Sequence, residues 1–132
     1  MQQPKILIID DDPDITEAMK VVLETENYQV QTATNGTEGM EQIKNNTPDL
    51  IILDIMMDTP REGFLLNREL KKDPSYKNIP ILMITAVKEK TGIDFKPEAG
   101  DPAWLPVEDF LDKPVRPEML LEKVQALLKK NY

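Results

Sequence analysis

Five side chains stand where an apolar run of this sequence gives out. Asp10 and Asp11 follow Lys5–Ile9, Asp54 closes Asp49–Asp54, Thr85 ends the run from Ile79, and Lys113 comes just after Val107–Leu111. Brought together, three carboxylates, a hydroxyl and an ammonium make an oxygen-rich site for a hard divalent cation. Mg²⁺ is the expected ion, with Mn²⁺ as its substitute, because such a cation takes a few carboxylates plus water and a phosphate oxygen. Two adjacent acids also need one: like charges ~4 Å apart repel by about 1 kcal/mol in water and by several times that when partly buried. A lysine beside the cation would neutralise phosphoryl oxygens, and a carboxylate such as Asp54 could attack phosphorus and carry the group as an aspartyl phosphate. Taken singly, each residue also has an ordinary structural explanation. Asp54 could be a turn residue, Thr85 a strand residue and Lys113 a solvated charge. Their joint placement at strand ends favours the chemistry.

The elements that would position them follow from hydrophobic periodicity. Leu50–Leu53 is a continuous aliphatic run, the pattern of a strand buried on both faces. Lys5–Ile9 and Ile79–Ile84 read the same way, Val107–Leu111 reads as a short last strand, and Tyr28–Thr34 alternates as an edge strand does. Between them lie helical patterns. Pro13 to Asn27 is headed by Asp12 as N-cap, with Ile15, Met19, Val22 and Leu23 on one face. Gly36 to Asn46 turns Met40 and Ile43 inward, and Phe64, Leu65, Leu66 and Leu70 support a third helix closed by Asp73-Pro74. A final helix runs from Val115-Arg116-Pro117 to about Lys130, with Met119, Leu120, Val124, Leu127 and Leu128 inward. The helix due between the fourth and fifth strands is expected to be short or irregular, because Gly92, Pro97, Gly100, Pro102 and Pro106 interrupt it.

Alternating strands and helices with short loops imply a doubly wound, five-stranded parallel sheet with helices on both faces. In the flavodoxin-like order 2-1-3-4-5, the strands ending in Asp10/Asp11, Asp54, Thr85 and Lys113 are contiguous. Their carboxyl ends then open on one rim, where ligands bind in such sheets.

Composition narrows the chemistry further. The 132 residues suit one domain, and no linker or repeat divides them. There is no cysteine and no histidine, so thiolate and imidazole ligands and His-based acid/base catalysis are excluded. With 24 acidic against 16 basic side chains the net charge is −8, which argues against direct nucleic-acid binding and suits a cation-binding protein. The strand pattern begins within five residues, leaving no room for a signal peptide, and no apolar run approaches the ~20 residues of a membrane span. A cytoplasmic protein that makes no use of a membrane is expected.

The sequence resembles the receiver domain of two-component response regulators over essentially its whole length. The residues that carry the resemblance are ILIIDDDPDI at the start, DLIILDIMM in the middle, Thr85-Ala86 after the fourth strand and Asp112-Lys113-Pro114 near the end. The resemblance implies that Asp54 is the phosphoacceptor, that Asp10, Asp11, Asp54 and the backbone carbonyl of Met56 hold Mg²⁺, and that Thr85 and Lys113 contact the phosphoryl group. It implies further that Thr85 and Phe110 form the switch. The donor would be a sensor histidine kinase or a histidine phosphotransfer protein, and the chain would catalyse only its own phosphorylation and dephosphorylation. Phosphorylation would alter a surface that binds a downstream protein or a second copy, formed by the Thr85 to Lys113 region and the last helix. That region carries Phe95 and the single Trp, Trp104, and is longer than is usual in the family. Residues 1–132 are then one receiver domain without an effector domain. Two alternatives stay open: a degenerate receiver acting only as a binding module, and a phosphohydrolase with an Asp nucleophile.

Overall fold

The computed structural model describes residues 3–54, 60–85, 108–113 and 115–130. Five strands, β1 (Lys5–Ile9), β2 (Gln29–Ala33), β3 (Leu50–Asp54), β4 (Ile81–Thr85) and β5 (Asp109–Asp112), form one sheet in the order β2-β1-β3-β4-β5. All four pairings are parallel. The helices are α1 (Pro13–Glu24), α2 (Gly36–Asn45), α3 (Pro60–Lys72) and α4 (Pro117–Lys130). The expected doubly wound sheet is the one observed. The helix expected between β4 and β5, with Phe95 and Trp104, lies outside the described residues.

Period-two alternation divides the core into two layers. On one face, Leu7, Ile9, Ile51, Leu53, Ile81 and Met83 pack with Ile43 of α2 and with Leu66 and Leu70 of α3. On the other, Ile6, Ile8, Leu50, Ile52, Leu82 and Ile84 pack with Met19 and Leu23 of α1 and with Leu120, Val124, Leu127 and Leu128 of α4. Every residue of β3 is buried, as its aliphatic run demands. The edge strand β2 alternates exposed glutamines with half-buried Val30 and Thr32. Gly39 lets α2 lie close on β1: a Cβ there would come within 2.6 Å of the Ile9 side chain. Asn67 of α3 is buried, and neither of its amide atoms is hydrogen-bonded among the described residues.

Several boundaries differ from the sequence reading for local reasons. Helix α1 ends at Glu24 rather than Asn27, and Asn27 takes φ 65°, a left-handed conformation that asparagine tolerates, as the chain turns into β2. Strand β4 begins at Ile81 because Pro80 has no N–H to give; its carbonyl accepts instead from the Ile51 amide at 3.0 Å. Strand β5 is Asp109–Asp112 rather than Val107–Leu111, and Glu108 precedes it as a bend. Met119 was expected to face inward but is 38% exposed. The buried stripe of α4 runs through 120, 124, 127 and 128, and Met119 falls one position to its side.

Candidate functional site

The exit of β1 is shaped by its own aspartates. Asp12 caps α1 as expected, its Oδ1 accepting from the amides of Asp14 (3.0 Å) and Ile15 (3.3 Å). Asp10 Oδ1 accepts from the Asp12 amide at 2.9 Å, and the Asp10 amide donates to the Ala33 carbonyl at 3.0 Å. These bonds fix the turn so that Asp10 is buried beside the sheet end while Asp11 stays exposed. From the neighbouring strand β3, Asp54 projects onto the same rim. Carboxylate oxygens of Asp10, Asp11 and Asp54 all lie within 4.8 Å of one another.

Lys113 arrives from the far side of the sheet. Its Nζ lies 3.1 Å from Asp54 Oδ2 and 3.7 Å from Asp10 Oδ2. The side chains of Asp54 and Asp10 are almost wholly buried, and that of Lys113 is 11% exposed. Burial pushes the Asp10 carboxyl up to about 6; the adjacent Asp54 charge adds to the rise, while the Asp12 amide and Lys113 oppose it. For Lys113, burial alone would lower the pKa, but attraction to Asp54 and Asp10 outweighs it and holds the ammonium above its ordinary value.

The donor set fits a hard cation. Asp10 Oδ2 is buried and, among the described residues, accepts no hydrogen bond, and its ion-pair contact with Lys113 is longer than a hydrogen bond. Asp10, Asp11 and Asp54 would each offer one carboxylate oxygen to such an ion, few enough for Mg²⁺, which keeps several waters.

Four of the residues singled out from the sequence, Asp10, Asp11, Asp54 and Lys113, therefore come together. The backbone of Thr85 pairs with Asp112 at the end of β4, on the strand between Asp54 and Lys113, while its side chain lies outside the described residues. Met56 also lies outside them. Phe110, half-buried on β5, packs against the core layer under α2 and α3. Asp10 and Asp11 at the exit of β1 and Asp54 at the end of β3 thus stand at adjacent central strands, with Lys113 Nζ beside Asp54 and Asp10.

The sequence profile of the response regulator receiver domain matches residues 6–125. This chain belongs to that family. The receiver is 38% identical over 128 residues to the DNA-binding dual master transcriptional regulator RpaA of Synechocystis, covering 97% of this chain and 50% of that protein. It is 32% identical to protein PilH of Pseudomonas aeruginosa, covering 94% of this chain and 97% of PilH. It thus spans half of one relative and nearly all of the other. Among solved structures, a putative response regulator from Chloroflexus aurantiacus superposes with a TM-score of 0.83 at 32% identity, over 97% of this receiver and 99% of that chain. The chemotaxis response regulator CheY4 of Vibrio cholerae gives 0.78 at 29% identity, over 96% and 99%. The chain is a receiver of two-component signalling with a flavodoxin-like fold.

Sequence reasoning missed Lys71 and Glu108. Lys71 Nζ pairs with Glu108 Oε1 and also donates to the carbonyls of Ile79 (2.9 Å) and Lys77 (3.2 Å). Only 13% of the Lys71 side chain is exposed. No local pattern announces a pair 37 residues apart, one member on a helix and the other in a bend.

Proposed function

We propose that this receiver takes a phosphoryl group on Asp54 from the phosphohistidine of a sensor kinase or phosphotransfer protein, and that the transfer depends on Mg²⁺. The observation that carries the proposal is the contact of Lys113 Nζ with Asp54 Oδ2 at 3.1 Å, beside an acidic cluster in which Asp10 Oδ2 accepts no hydrogen bond from the described residues. Asp10, Asp11 and Asp54 would hold the ion, with the Met56 carbonyl as a further ligand; Mn²⁺ would serve in its place. When bound, the ion supplies positive charge to the phosphoryl oxygens and to the acids around it.

An Asp54 carboxylate oxygen attacks phosphorus, the P–N bond of the donor breaks, and the departing imidazole keeps its electron pair and takes a proton. These 132 residues contain no histidine, so the donor imidazole must lie outside them. Lys113 holds Asp54 in position and pairs with the phosphoryl oxygens as they arrive, so that catalysis is mostly positioning and charge neutralisation. Thr85, ending the strand between Asp54 and Lys113, donates its hydroxyl to the phosphoryl group. Its movement, followed by repacking of Phe110, carries the change to a surface that binds a downstream protein or a second copy.

The reading is of a self-modifying switch rather than an enzyme with turnover, working in the cytoplasm. Among the described residues no helix is long and apolar enough to cross a membrane. RpaA is described as DNA-binding; the net charge of −8 argues against that role for the 132 residues of this receiver.

The test is incubation with acetyl phosphate and Mg²⁺ followed by intact-mass spectrometry. One phosphoryl adduct is expected in the parent protein and none in Asp54→Asn. Absence of an adduct in the parent would leave a binding module; sustained hydrolysis of a phosphomonoester such as p-nitrophenyl phosphate would indicate a phosphohydrolase.

A further inference from the structure

We infer that Lys71 and Glu108 are positioning residues for Lys113: clasped together beneath the sheet, they fix where β5 begins and so where the ammonium at its other end arrives. The inference rests on the reading of Asp54 as phosphoacceptor. Strand β5 is four residues long and sits at the sheet edge, hydrogen-bonded to β4 alone. Residues 86–108 lie between it and β4 in the chain. Among the described residues, Phe110 and Leu111 anchor it by apolar packing, one in each core layer.

Glu108 supplies the missing constraint. Its amide donates to the Ile81 carbonyl at 3.1 Å, and its carboxylate accepts from the Ile81 amide at 2.8 Å, so one residue takes both backbone groups at the start of β4. The same carboxylate oxygen meets Lys71, in the last turn of α3, whose ammonium is also held by the carbonyls of Lys77 and Ile79. If Glu108 moves away, the buried Ile81 amide loses its side-chain acceptor, and the Lys71 ammonium keeps two carbonyls but loses its carboxylate partner.

The clasp and the Lys113–Asp54 pair thus hold the two ends of one short strand. A register shift of two residues would carry Lys113 by roughly 6–7 Å along the strand direction. The 3.1 Å contact with Asp54 would not survive it. The acids do not depend on this strand, since Asp10, Asp11 and Asp54 stand on β1 and β3 or at their exits.

The experiment compares the parent with Glu108→Ala, Glu108→Gln, Lys71→Met, Lys113→Ala and the Glu108→Ala/Lys113→Ala double variant. Phosphorylation by acetyl phosphate is followed by intact-mass spectrometry, Mg²⁺ affinity by calorimetry and amide exchange by NMR. Glu108→Ala is expected to slow phosphorylation about tenfold, within the range that small misplacements of reacting groups produce, with Mg²⁺ affinity not reduced. Glu108→Gln keeps an acceptor for the Ile81 amide and should fall between Glu108→Ala and the parent. The double variant should be no slower than Lys113→Ala, because Glu108 acts through that lysine. Amides of Phe110 and Leu111 should exchange faster in Glu108→Ala while those of β1 and β3 do not. Parent rates in both Lys71→Met and Glu108→Gln, unchanged exchange in β5, or a double variant slowed by the full product of the two single effects would overturn the inference. If the parent itself takes up no phosphoryl group, the reading of Asp54 fails, and the exchange measurement still decides whether the clasp holds β5.

Discussion

The two halves of the rim reach the same site by different means. On β1 and β3 the acids are placed by burial: from Ile6 to Ile9 and from Leu50 to Asp54 every residue is buried, and each strand has neighbours on both sides. On β5 the cation is placed by charge, through Lys71–Glu108 at the entry, Lys123–Asp109 (2.9 Å) alongside and Lys113–Asp54 at the exit. A strand packed on both faces cannot slip without losing its core, whereas an edge strand with two apolar anchors is steered by polar contacts that can be remade. The acidic half is therefore the rigid frame, and the lysine half is where the site can be adjusted.

That contrast sets the order of expected effects. In the frame, Ile52→Ala leaves a cavity in a fully buried position and should cost about 2–5 kcal/mol in urea unfolding. A loss below about 1 kcal/mol would show that the central strands are less tightly packed than the contrast requires.

The next effect lies at the edge of the frame, in the pH dependence of the metal-free protein. The Asp10 carboxyl is raised from 3.8 to about 6 on folding, so between those values the folded state holds a proton that the unfolded state releases. Its contribution to stability is complete below pH 3.8 and is lost as pH rises through about 6. Asp10→Asn should accordingly exceed the parent by roughly 2–3 kcal/mol at pH 7 without metal, the gap closing toward pH 4 and shrinking when Mg²⁺ is added to the parent. Denaturant melts across that range check the sign, and a gap that widens toward low pH contradicts it.

The smallest effect belongs to the edge. Lys123 and Asp109 are each a quarter to a third exposed, so solvent screens their pair, and Lys123→Met should change stability by less than about 1 kcal/mol. A loss comparable to that of Ile52→Ala would erase the distinction between the two halves.

Much of this was legible without coordinates, for reasons that particular residues make plain. Leu50–Leu53 could only be a strand covered on both faces, and its exit into Asp54 put an acid at the rim; Asp12 before Pro13 announced the cap of α1. Edges and ends were less legible. Met119 has the composition of a core residue, and whether it is covered depends on the angle at which α4 lies on the sheet. The start of β5 depends on Glu108 reaching Ile81, a contact across 27 residues that leaves no periodic trace.

The sequence by itself determined the order of the elements, the two apolar layers and the residue types at each strand exit, because these follow from short-range periodicity and from what an amino acid can do chemically. Tertiary structure alone decided that Asp10 would be buried and Asp11 exposed, that Lys113 would close on Asp54, and that Lys71 and Glu108 would meet beneath them. Those outcomes depend on distances between segments far apart in the chain, and such distances exist only once the sheet has brought the segments side by side.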